Sequence, residues 1–116
     1  MEPVDRSKLL QDRQTAECSE VVAQRVVAAR DRAAHRLRGT PWQVNAEIPG
    51  AELRRSFAPG QGALRALERA LELGQVSARG ADKITRMAWT VADLSGQPRP
   101  GAAEIQSAIG MWLGVP

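Results

Sequence analysis

An all-α fold is predicted by two features of this 116-residue chain. Its hydrophobic residues, 43% of the total, are mainly Ala, Leu, Val and Ile, while aromatic residues reach only 3%. That composition suits closely packed helices and disfavours β-sandwiches and barrels. Apolar residues also recur at three- and four-residue steps in four separate stretches, the spacing of one helix face. A chain of this length is one small domain, which excludes a two-domain enzyme. It can bury roughly two-thirds of its extended surface, enough for one thin core.

Residues 1–16 mix charges with Leu9 and Leu10 as an apolar pair and show no export signal, so they are expected to form a mobile N-terminal segment. Over residues 17–38, Val22, Val26, Ala29, Ala33 and Leu37 fall within an arc of about 80° at 100° per residue, which predicts the first helix. Gly39 and Pro41 end it. Arg25, Arg32 and Arg36 form a stripe beside that arc. It is either a candidate DNA-contacting face or a solvated flank whose aliphatic stems cover the core edge.

Residues 39–60 hold three prolines and three glycines and read as a structured connector with a short helical turn at 51–55. Trp42, Val44 and Ile48 are expected to strap it over the helices. A second helix is predicted at 62–73 from Leu64, Leu67 and Leu71, stopped by Gly74. A third opens at Ser77, a good N-cap, and runs to Leu94 with Ile84, Met87, Ala88, Val91 and Leu94 on its core face. Arg79, Arg86 and Asp93 share the opposite, polar face. A fourth, over 101–113, is expected to bury Ile105, Ala108, Ile109 and Trp112.

The inventory for catalysis is nearly empty. His35 and Cys18 are the only histidine and the only cysteine, so neither a metal site nor a nucleophile with its base is expected. Gly60-Gln61-Gly62 precedes a helix but lacks the GK[ST] of a triphosphate-binding loop. A net charge of +3 from 16 basic and 13 acidic residues is weak evidence for a polyanionic partner. Cysteine usage and the lack of a long apolar run point to a reducing, cytoplasmic setting with no membrane span.

Three motifs carry a family resemblance. SARGADKITRMAWTVADLSG at 77–96, RVVAAR at 25–30 and NAEIPG at 45–50 occur in order and at compatible spacing. Together they make residues 17–110 resemble the helical lid that follows the core of magnesium-chelatase-like AAA+ ATPases of the YifB/ComM type. The final residues Met111 to Pro116 depart from the arginine-ending tail usual in that family.

The resemblance implies a four-helix lid over residues 17–116, excised from a longer chain, with the proline/glycine connector between helices 1 and 2. It also implies that ATP and Mg2+ are bound only in a parent protein that holds the Walker motifs. The partners it implies are the AAA+ core of that chain and neighbouring subunits in a ring, with a role in DNA processing and competence. The isolated domain is then expected to be a monomer and no enzyme. Arg79 matches the sensor-2 arginine that reaches the nucleotide γ-phosphate, and Arg86 is a second candidate. A permanently charged, planar guanidinium near a helix start suits a triphosphate oxygen. The bland alternative for Arg79 is an intrahelical pair with Asp82. The alternative for the whole chain is a free-standing helical DNA- or protein-binding module using Arg25, Arg32 and Arg36.

Overall fold

The computed structural model describes residues 6–114, with side chains from residue 18 onward. Among the described residues there are five α-helices, α1 Arg6–Arg36, α2 Gly50–Arg55, α3 Gln61–Glu72, α4 Ala78–Ser95 and α5 Ala102–Leu113, with a 3-10 turn at Asn45–Glu47 between α1 and α2. No strand occurs among the described residues. The all-α prediction therefore holds in outline, but the helix count is five because the turn expected in the connector closes into α2.

The principal core lies between α3, α4 and α5. Ala63, Leu67 and Ala70 meet Ala81, Ile84, Ala88, Ile105, Ala108 and Ile109. Alanine supplies about half of these contacts, so the helices approach closely and a few branched side chains fill the space between them. α3 and α5 run in the same direction, since the Gly60 N–H donates to the Pro100 carbonyl at 2.9 Å where both helices begin. α4 runs against them, its first turn beside Trp112 near the end of α5. A second, smaller core joins Leu37, Ile48, Leu53 and Trp89, with Trp42 and Phe57 packed on it. Phe57 sits edge-on to both tryptophans at 6.5 and 6.2 Å between ring centroids.

Capping explains where α4 starts and stops. The Ser77 hydroxyl accepts from the Gly80 N–H at 3.0 Å, as predicted for an N-cap. Gly96 ends the helix in a left-handed conformation with φ 74°, a backbone state glycine adopts without a Cβ penalty.

Several expectations need correction. α1 starts at Arg6, upstream of the predicted residue 17. The mobility expected over 1–16 falls partly on residues 1–5, outside the described ones. Val22 was assigned to the core face but is 55% exposed, because α1 overshoots the body and Val22 lies beyond the end of α4. Trp112 is 40% exposed rather than buried, since it sits in the last turn of α5, where the bundle ends. Ile48 straps the core as expected, yet Val44 stays 49% exposed. The polar face of α4 is buried at one end: Asp93 is 2% exposed.

Candidate functional site

The start of α4 gathers positive charge. Arg79 and Ser77 are exposed there, on the turn where helix N–H groups lack intrahelical partners and the helix dipole favours anions. Asp82, the intrahelical partner considered for Arg79, is held instead by Arg54 of α2 at 3.0 Å. Among the described residues Arg79 has no carboxylate at ion-pair distance. Lys83 follows one turn later, with its Nζ 5.7 Å from the centroid of the Trp112 ring. The sequence reading passed over Lys83, although its four-residue spacing from Arg79 places both cations on one helix face.

The seat of this turn is Gly80. A Cβ there would lie 3.1 Å from Val76 Cγ1 and 3.2 Å from Trp112 Cζ2. A side chain there would have to push Val76 or the α5 indole back by a few tenths of an ångström, so glycine lets the indole lie close on the first turn of α4. Arg86 shares the face of Arg79 two turns on, but its Nε donates to the Ile48 carbonyl at 2.8 Å. That bond ties α4 to the connector, so Arg79 and Arg86 sit on one face in different environments.

The other end of α4 carries a buried polar network. Arg36 of α1 grips Asp93 with both terminal nitrogens, Nη1 to Oδ1 at 2.6 Å and Nη2 to Oδ2 at 2.7 Å. Nη2 also donates to Asn45 Oδ1 at 2.8 Å, and Asn45 Nδ2 donates to Asp93 Oδ2 at 2.9 Å. Arg32 donates to the Asp93 backbone carbonyl. The Arg36 guanidinium carbon lies 4.3 Å from the centroid of Trp89, whose Nε1 donates to the Phe57 carbonyl at 2.8 Å. Such charge-assisted, bidentate bonds are the stronger kind, and here they are shielded from water.

This network draws on two members of the arginine stripe. Arg25 and Arg32 are exposed and Arg36 is partly buried, and both Arg32 and Arg36 donate to Asp93. The sequence could not pair them, because Arg36 and Asp93 stand 57 residues apart.

An apolar cleft of about 270 Å³ opens between α2, α3 and α4, lined by Leu53, Leu64, Leu67 and Leu71 with the Arg54 and Asp82 pair at its rim. Among the described residues no three His, Cys, Asp or Glu side chains gather as a metal site. No described helix is long and apolar enough to cross a membrane.

Residues 16–111 match the protein family described as magnesium chelatase, subunit ChlI C-terminal. The chain is also 43% identical over 93 residues to an uncharacterized protein of Mycobacterium bovis. Uncharacterized proteins of two Mycobacterium tuberculosis strains, CDC 1551 and H37Rv, match at the same 43% over 93 residues. The aligned segment covers 80% of this chain and 18% of each relative. The chain thus spans less than a fifth of the length of the curated relatives it matches. No solved structure matches it.

Proposed function

Because the chain belongs to the magnesium chelatase subunit ChlI C-terminal family, the helical lid of magnesium-chelatase-like AAA+ proteins, we propose that it presents Arg79 to the phosphates of ATP bound by the AAA+ core of a longer assembly. The observation that carries this reading is the state of Arg79: it is exposed on the first turn of α4, with no carboxylate at ion-pair distance among the described residues. A free guanidinium at a helix start is complementary to a phosphate oxygen in charge, planarity and hydrogen-bond donors.

The residues present fit part of a nucleotide site and not the whole. They offer cations, Arg79 with Lys83 behind it, and they offer magnesium no ligand cluster among the described residues. Bound magnesium ATP supplies the anhydride bond whose hydrolysis drives the assembly. This chain's share is to hold positive charge where negative charge develops, and to carry that charge as one rigid end of α4. Arg86, engaged with the Ile48 carbonyl, supports that geometry from within the fold. Ring assembly with neighbouring subunits and DNA processing are the wider roles we assign to the longer protein on the strength of the resemblance.

The test is turnover in the intact AAA+ protein that carries this lid. Arg79→Ala is expected to lower ATP turnover at least about tenfold, since one positioned cation is commonly worth a few kcal/mol in the transition state. The thermal stability of the lid should stay unchanged. Full turnover in that variant would remove Arg79 from the phosphate contact.

A further inference from the structure

We propose that Arg36, Asp93 and Asn45 are positioning residues: they lock α1 and α4 into one rigid lever, so that the heading of α1 dictates where the Arg79 end of α4 points. The rigidity stands on the geometry alone, and only its consequence for Arg79 rests on the nucleotide-facing reading above.

The lock is directional. A planar guanidinium that meets both oxygens of one carboxylate, with Asn45 closing the third side, permits one relative orientation of the two helices. An apolar contact of the same size would let them slide or roll. Asp93 is 2% exposed, so water does not compete for its oxygens. Arg32 adds a second point of attachment on the same residue, through the Asp93 carbonyl. It crosses the end of α4 beside Gly96.

The lever has two ends. α1 packs mainly on α4, and among its described side chains the buried apolar ones are Ala29 and Ala33, in its last third, with Leu37 buried just past its end. Val21, Val22 and Val27 are exposed, so the arm before Ala29 projects beyond the body. This projection fits the molecule's dimensions of 62 × 37 × 20 Å. At the other tip, Arg79 lies about 21 Å along α4 from Asp93 at 1.5 Å per residue. A tilt of roughly 10° about the lock would displace Arg79 by about 4 Å, more than any hydrogen bond tolerates. Small losses of angular definition at Asp93 are therefore large errors at Arg79.

Spin labels read this directly. Cys18 is exposed on the arm and is the chain's only cysteine, and Ala78→Cys places a second label at the start of α4 while leaving Arg79 in place. Double electron–electron resonance on this pair should give one narrow distance distribution. Arg36→Met with Asp93→Leu removes both charges together, which spares the fold an unpaired buried ion. In that background the distribution should broaden at least about twofold while circular dichroism keeps its helical signal. Should the double variant lose that signal, Arg36→Lys gives the same readout, since lysine keeps the charge and cannot fork onto both oxygens. A distribution as narrow as the parent's in whichever variant folds overturns the proposal, as does a broad distribution in the parent itself. No nucleotide enters the measurement, so its result is independent of whether Arg79 meets a phosphate.

Discussion

Asp93 shows what one residue holds together in this fold. It is 2% exposed and accepts from Arg36 and Asn45, while its backbone carbonyl accepts from Arg32. Asp93→Ala would leave the Arg36 guanidinium, with its Nε already buried without a partner, in a pocket with no counter-charge. Breaking a buried pair in this way costs about 3 to 5 kcal/mol, so urea unfolding should show a large drop in midpoint. Arg79→Ala is the contrasting case. Its side chain is exposed and makes no ion pair among the described residues, so the same titration should move by less than about 0.5 kcal/mol. Ser77→Ala falls between, losing the bond to the Gly80 N–H for about 1 kcal/mol.

At the scale of elements, the two faces of α4 serve two cores. Ile84 is 0% exposed between α3 and α5, whereas Trp89 belongs to the smaller core with Leu37, Ile48 and Leu53. Ile84→Ala should destabilise the domain by about 2 to 5 kcal/mol through the cavity it leaves, measured as lost midpoint in chemical denaturation. Val22→Ala in α1 should have almost no effect by the same measurement, because that valine is 55% exposed. Equal losses in the two variants would mean that the α1 arm is covered rather than projecting.

For the whole molecule, the arrangement is a body of α3, α4 and α5 with α2 packed beside α4 and a protruding α1, joined to it by the smaller apolar core and a buried ion-pair network. Nothing in the described residues cradles a triphosphate: the cations at the α4 start stand without a phosphate-binding loop. Titration calorimetry of the isolated chain with ATP is therefore expected to give an affinity no tighter than about millimolar. Micromolar binding would show that the chain holds a nucleotide site of its own. The family match covers residues 16–111, and the aligned segment makes up 18% of the mycobacterial relatives.

What the sequence by itself determined was local. Period and punctuation gave the helix-bearing stretches, and Ser77 gave the start of α4, because caps and apolar steps act within one or two turns. The motifs at 25–30, 45–50 and 77–96 gave the family for the same reason, since they are read in order along the chain. Tertiary structure decided what those residues do to one another. Arg36 reads as a member of a stripe beside the core and Asp93 as part of a polar face. Both are taken inward, because the connector folds Asn45 against α4 and Arg36 meets its carboxylate partner among the described residues at the C-terminal end of that helix. The intrahelical pair of Arg79 with Asp82, the alternative the sequence offered, is displaced because α2 brings Arg54 to that carboxylate. Electrostatic partners are chosen by distance in space, and a one-dimensional pattern specifies that distance only within a helix.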